Sequence, residues 1–183
     1  LRPSMLLAAG TAEAAKALID RGVAADGLLR TRGRPDATAL FLLTTDKARN
    51  VRQVVYPPEG RIGPAGVDVR VAPPQALGEA AHVILASTGT VRLSLPAIDW
   101  LPGALADHLT SVGGALAPGN TQSTVLEWIA SGATASYGTV SEPCNHLQKF
   151  PHPTLLLMHY LQGETALEAY WKSVAWPQQG VFV

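Results

Sequence analysis

Residues 103–150 read GALADHLTSVGGALAPGNTQSTVLEWIASGATASYGTVSEPCNHLQKF. The stretch combines Gly-punctuated turns, a helix with a polar N-cap at Asn120 or Thr121 that ends at Gly132, and an apolar strand over residues 133–137. So many glycines and polar side chains are more than a solvent-facing loop needs. We therefore interpret this stretch as a site at the edge of an α/β sheet.

Helices and strands alternate on both sides of this stretch. Thr11 and Asp46 predict helix N-caps, and Gly22 and the pair Pro57-Pro58 predict the two helix ends. Further predicted elements are a buried strand at 39–43, a half-exposed edge strand at 67–71, a buried strand at 82–87, and two helices within 153–174 that separate near Gly163. The alternation predicts an α/β fold with three layers, in which helices cover both faces of a mostly parallel sheet.

Composition limits the classes of function. The 183 residues are enough for one domain spanning residues 1–183, and 47% hydrophobic against 15% charged residues favours a covered sheet. Lys plus Arg equals Asp plus Glu at 14 each, so we expect no nucleic-acid partner, and no apolar run is long enough for this segment to insert in a membrane. Without a GxxxxGK[ST] or GxGxxG motif, we expect no cofactor.

Both ends of the sequence look interrupted. The chain opens without Met and closes on the apolar run Gly180-Val181-Phe182-Val183, which has no polar exit. We therefore expect a portion of a longer protein, incomplete at both ends.

Ligands of parallel sheets bind beyond the carboxyl ends of the strands. The first such position is Thr88-Gly89, directly after the strand predicted at 82–87. Its hydroxyl and its freely approached backbone can bind a ligand, or they can simply satisfy a local turn.

The second position is Asp107-His108, followed by Thr110-Ser111 and by Gly113-Gly114. An Asp, a His and a Ser so close together invite a catalytic triad. However, working triads are assembled from distant loops, and no GxSxG motif occurs. The two glycines offer an alternative, a nest of amides for an anion.

The third position comprises Glu142, Cys144, Asn145 and His146. Cys144 is a candidate nucleophile if an imidazole lowers its pKa, whereas a buried cysteine in a rigid loop is the other interpretation. A metal site formed by Glu142 and histidines 108, 146 and 152 lacks any supporting spacing, so we expect no metal.

Four segments resemble one bacterial family. They are residues 46–52 (DKARNVR), 101–114 (LPGALADHLTSVGG), 132–145 (GATASYGTVSEPCN) and 160–177, which contains GETALEAYWKSVAWP. The family occurs mainly in species with the exosortase sorting system for exported, PEP-CTERM-tagged proteins, and it carries no established activity. The resemblance covers nearly the whole chain, with departures between Gly27 and Pro74. It implies an exported protein, in the periplasm or at the cell surface, of which this is an incomplete portion.

A second resemblance concerns architecture. The order of strand, Gly turn, strand and small-residue turn is similar to the caspase and gingipain class of cysteine peptidases. In that class a His-Gly pair follows one strand and the nucleophilic Cys follows the next. Thr88-Gly89 and Thr110-Ser111 stand at those places here. The resemblance therefore implies a peptidase-like fold without the catalytic dyad.

Two hypotheses follow for function. The first is a non-catalytic binding or scaffold domain with a degenerate site, whose partner is a protein, a peptide or a glycan at the sheet edge. The alternative is a hydrolase that uses Cys144 or Ser111 with a histidine from another loop. We favour the first, because no complete catalytic set can be identified in the sequence.

Overall fold

Two of the apolar runs predicted as buried strands lie side by side in the middle of one sheet. They are β1 (Ala37–Leu42) and β4 (Val83–Thr88), and all six residues of each are buried. The two strands run parallel, with Phe41 opposite Ser87. The computed structural model describes residues 2–27, 36–95, 97–117, 119–141 and 145–183.

Among the described residues, one sheet has seven strands in the order β2-β3-β1-β4-β5-β6-β7. The remaining strands are β2 (Gly60–Ile62), β3 (Val67–Ala72), β5 (Trp100–His108), β6 (Ala135–Thr139) and β7 (Gly180–Phe182). The central five strands are parallel, and β2 and β7 pair antiparallel at the two edges. The predicted α/β fold with a mostly parallel sheet is confirmed.

Helices cover both faces of the sheet. Over the described ranges, the α-helices are α1 (Ala12–Ala25), α2 (Val125–Ser131), α3 (Pro153–Leu161) and α4 (Ala166–Ser173), and the 3-10 helices are Lys47–Val55, Gly63–Ala65, Pro74–Gly78, Leu147–Lys149 and Pro177–Gln179. On one face α3, α4 and the 3-10 helix Lys47–Val55 pack into the largest apolar cluster, while α1, α2 and the 3-10 helix Pro74–Gly78 pack on the other face. The result is the expected three-layer arrangement.

Local capping signals predicted helix starts better than helix ends. Thr11 and Asp46 both cap as predicted, accepting hydrogen bonds from Ala14 and Ala48. The helix after Thr11 runs past Gly22 to Ala25, because a single glycine does not stop an otherwise helical run. The element after Asp46 is a 3-10 helix, and Thr124, not Asn120 or Thr121, is the N-cap of α2.

Two strand predictions need correction. Strand β3 is not at the edge of the sheet, since β2 pairs along its outer side. Strand β5 was not predicted from the local sequence, where Pro102 and Gly103 resemble a turn, and only the architectural resemblance implied a strand before Thr110-Ser111. The pairing of β5 with β4 is irregular at this point, and Gly103 has a φ of +88°. A bulge of this kind tolerates both residues at the start of a buried strand.

Candidate functional site

The exits of β4 and β5 lie side by side at the carboxyl edge of the sheet. The amide of Leu109 donates to the carbonyl of Thr88 at 2.7 Å, which continues the pairing one residue beyond the strands. The side chain of Thr88 is buried, and its hydroxyl contacts that of Thr90 at 3.0 Å. The two turns that the sequence singled out therefore meet in space.

A buried ion pair supports this edge from one face of the sheet. Arg52, on the 3-10 helix Lys47–Val55, donates to the Asp107 carboxylate at 2.6 Å, and both side chains are 2% exposed. Arg52 also donates to the carbonyl of Thr88 at 3.0 Å, and Ser87 donates to Asp107 at 3.1 Å. Burial raises the pKa of Asp107, while Arg52 and Ser87 oppose that shift. These bonds fasten the helix after β1 to the ends of β4 and β5.

His108 points to the opposite face of the sheet. Its Nδ1 accepts a hydrogen bond from the Trp128 indole at 2.9 Å, and its Nε2 lies at 2.5 Å from the carbonyl of Ser123, to which it donates. The side chain is fully buried, and burial lowers the pKa of His108 to about 4. Both ring nitrogens are thus occupied within the core.

The structure does not assemble Asp107, His108 and Ser111 into a triad. Successive residues of a strand point to opposite faces, so Asp107 and His108 are separated by the sheet itself. Each already has partners on its own side. The two residues therefore support the fold at the site and do not act on each other.

A groove of about 230 Å³ opens beside Ser111. The residues that line this Ser111 groove include Arg49, Leu109, Thr110, Ser111, Asn145 and Phe150. Leu109 and Phe150 are buried and contribute apolar surface. The Ser111 hydroxyl makes no hydrogen bond to the described residues, whereas the Asn145 amide donates to the carbonyl of Ala48. The groove therefore offers a free hydroxyl above an apolar floor.

Gly89 allows the 3-10 helix Lys47–Val55 to pack closely against the exit of β4. A Cβ at this position would lie 2.1 Å from the carbonyl oxygen of Arg49, so only glycine lets the helix after β1 cross the exit of β4 so closely. The Arg49 guanidinium forms a salt bridge with Asp46 at 3.3 Å, and its side chain is 22% exposed. The crossing therefore holds the Arg49–Asp46 ion pair in the wall of the Ser111 groove, where Arg49 also donates to the carbonyl of Leu109 at 3.4 Å.

The turn after β5 is tied to its neighbours. The Gly114 amide donates to the carbonyl of Thr139 at 2.9 Å, and the Val125 amide donates to the carbonyl of Gly113 at 2.7 Å. The Gly114 amide that an anion nest would use is thus already bonded to β6. The hydroxyl of Thr110 is buried and has no partner among the described residues.

The remaining predicted residues are only partly placed. Glu142 and Cys144 lie outside the described residues. His146 is exposed and packs edge-on against Trp176, with ring centroids 5.8 Å apart. Within the described ranges, no group of His, Cys, Asp or Glu is arranged to hold a metal ion. The same part of the chain has no helix with both the length and the apolarity to cross a membrane.

Sequence reasoning did not identify the buried role of Arg52. An arginine on a short helix is usually an exposed residue whose stem packs on the surface, and nothing local marks this one as different. Its partner Asp107 is far along the chain. The burial of the Asp107 carboxylate within a strand is the signal that a cationic partner must lie nearby. This burial can be inferred only once β5 is recognised as a strand.

Comparison with known proteins adds no relative to this description. No protein-family model matches the chain, and no curated protein or solved structure matches it significantly.

Proposed function

We propose that this chain is a non-catalytic binding domain of an exported bacterial protein, built on a peptidase-like sheet with a degenerate site. Export rests on the resemblance of its segments to the exosortase-associated family. The caspase-like character is supported by the adjacency of β4 and β5, which brings Thr88-Gly89 next to Thr110-Ser111. Neither turn supplies an imidazole or a thiol.

One observation carries the proposal: among the described residues, no imidazole forms a hydrogen bond with the Ser111 hydroxyl. His108 is locked in the core, and His146 packs on Trp176. His82 bonds to the carbonyl of Asp36, and His152 accepts from the amide of Leu155. His159 bonds to the carboxylate of Glu164. A serine nucleophile requires a base within hydrogen-bond reach. Ser111 has no such base among the described residues.

The Ser111 groove is the binding surface that we propose. The Ser111 hydroxyl, the ion pair of Arg49 with Asp46 and the apolar side chains of Leu109 and Phe150 together suit an extended polar ligand with small apolar groups. A peptide fits this combination, because its carbonyl oxygens accept from hydroxyl and guanidinium donors.

A displayed peptide library tests the groove. Wild-type protein should enrich a set of related peptides, and Ser111→Tyr should lose them because the larger side chain fills the groove. Thr121→Tyr is the matched control, since Thr121 is an exposed hydroxyl residue outside the lining of the groove. Equal enrichment by wild type and Ser111→Tyr would show that the peptides bind elsewhere.

The alternative remains a hydrolase that uses Cys144 or Ser111 with a histidine from another loop. The alkylation rate of Cys144 by iodoacetamide against pH separates it from the binding domain. A non-catalytic thiol reacts with an apparent pKa near the unperturbed ~8.5, or only after denaturation. Fast alkylation with a much lower apparent pKa would replace the binding proposal with a cysteine hydrolase.

A further inference from the structure

A second recess lies where the chain reverses direction across the sheet. From β1 the chain proceeds to β3 on one side, and from β3 it returns to β4 on the other side of β1. Connections diverge at such a switch point, and open α/β sheets bind ligands in the crevice between them. Beside this point, on one face of the sheet, a pocket of about 460 Å³ lies between the 3-10 helix Pro74–Gly78, which belongs to the connection from β3 to β4, and the turn after β4. We name it the switch-point pocket.

The pocket exists because two connections on this face are short. The 3-10 helix Pro74–Gly78 is five residues long, and the link from β4 to β5 contains no helix among its described residues. A doubly wound sheet normally has a full helix in each place. The end of β1 is therefore covered on this face by short connections and not by a full helix. The volume falls within the ~300–1,000 Å³ typical of small-ligand sites.

The lining is apolar at depth and charged at the rim. Leu93 supplies partly exposed aliphatic surface, and Leu42 and Leu77 line the pocket as buried side chains. Arg92 and Glu79 are exposed residues that also line the pocket. A ligand that fits must therefore place an apolar group against the leucines and a charged group at the rim.

Arg92 is the donor available to such a charge. Its Nη1 makes two long contacts, at 3.3 Å to the Glu127 carboxylate and at 3.4 Å to the Asn120 carbonyl. Its Nε and Nη2 form no hydrogen bond to the described residues, and the side chain is 62% exposed. A guanidinium has five N–H donors and can bind a second carboxylate through the free edge.

We propose that the switch-point pocket binds the free C-terminus of a peptide with an apolar last residue. The apolar side chain packs on Leu42, Leu77 and Leu93, and the terminal carboxylate pairs with Arg92. This site is separate from the Ser111 groove, because the two recesses share no lining residue.

The test is a titration of the protein with N-acetyl-leucine, followed by the methyl resonances of the three pocket leucines. We expect saturable shifts at those methyls. N-acetyl-leucinamide, which has the same side chain without the charge, should bind about fivefold more weakly, as expected for the loss of one exposed ion pair. Absence of shifts at millimolar ligand would overturn the proposal.

Charge variants give a signature that depends on the carboxylate. Arg92→Gln should weaken N-acetyl-leucine about fivefold and leave N-acetyl-leucinamide unchanged. Glu79→Gln should strengthen N-acetyl-leucine by a smaller factor, since it removes a nearby like charge. Arg70→Gln, at an exposed arginine on β3, is the matched control and should change neither ligand. Equal effects of Arg92→Gln on both ligands would exclude a carboxylate contact and overturn the proposal.

Discussion

Arg52 and Asp107 form an ion pair whose contribution to the free energy of unfolding depends on its burial. Both side chains are almost inaccessible, and the hydroxyl of Ser87 completes the environment of the carboxylate. Removing one partner of a buried pair leaves the other charge without compensation. Removing both leaves no such charge. The pair should therefore show strong coupling between its two residues.

Arg52→Met should lower the free energy of unfolding by about 3–5 kcal/mol, because Asp107 remains buried without its cation. Arg52→Met combined with Asp107→Leu should recover much of that loss. Urea denaturation of the variants measures both effects. Arg61→Met is the control, since Arg61 pairs with Asp36 and Asp68 at the surface and its loss should barely move the midpoint. A double variant no more stable than the single one would contradict the argument.

His108 makes stability depend on pH. Burial lowers the pKa of His108 to about 4 from an ordinary 6.5, so the unfolded chain binds a proton that the folded chain rejects. Stability should fall as the pH drops from 6.5 to about 4, by about 3 kcal/mol in total. Urea midpoints at stepped pH values measure the loss.

His108→Gln should flatten that dependence, while His146→Gln, at an exposed histidine, should retain it. The raised pKa of Asp107 acts with the opposite sign, because a folded state that binds a proton more readily gains stability as pH falls. Comparing wild type with His108→Gln separates the imidazole from this carboxyl group. Parallel curves for the two proteins would show that His108 does not control acid stability.

At the scale of elements, the crossing of the 3-10 helix Lys47–Val55 over β4 depends on Gly89. Gly89→Ala places a Cβ against the Arg49 carbonyl, so the helix must shift. We expect a loss of about 2–3 kcal/mol and weaker binding in the Ser111 groove. Gly22→Ala is the control: nothing lies within 4 Å of that Cβ, and alanine within α1 should stabilise by about 0.5–1 kcal/mol. Thermal unfolding of the two variants measures both effects. Equal changes in stability would contradict the claim that the helix crosses β4 too closely for a Cβ at residue 89.

The same scale shows which elements the sequence could predict. Helix starts at Thr11 and Asp46 depend on a side chain and an amide within three residues, so the signal is local. Strands β1 and β4 are uniformly apolar, which marks them as buried. Strand β5 carries Asp107 and His108 into the core, and their partners Arg52 and Trp128 come from other elements. No local pattern encodes such compensation.

The candidate site was predictable in place but not in geometry. The turns after β4 and β5 were expected at the carboxyl edge, and the structure brings them together. The opposite orientation of Asp107 and His108 follows only from their membership of a strand. The role of Arg49 follows only from the crossing at Gly89.

At the scale of the molecule, all strands in the part of the chain that the structure describes belong to one sheet, and both layers of helices pack on it. Residues 1–183 should therefore unfold as one cooperative domain. Urea transitions followed by tryptophan fluorescence and by far-UV circular dichroism should coincide. Trp128 is fully buried on one face, so its emission reports on the core. Two separate transitions would show that part of the sheet folds independently.

The position of β1 in the middle of the sheet has a kinetic consequence. Phe41 pairs with Ser87, about 46 residues later in the chain, so the central pairing closes a long loop before it gains any contact. Helix formation within the layers is far faster than that closure. We expect the meeting of β1 and β4 to limit the rate of folding, because it is among the longest-range strand pairings of the described residues. A longer connection anywhere between them slows that search, while the rate at which the finished sheet comes apart stays the same.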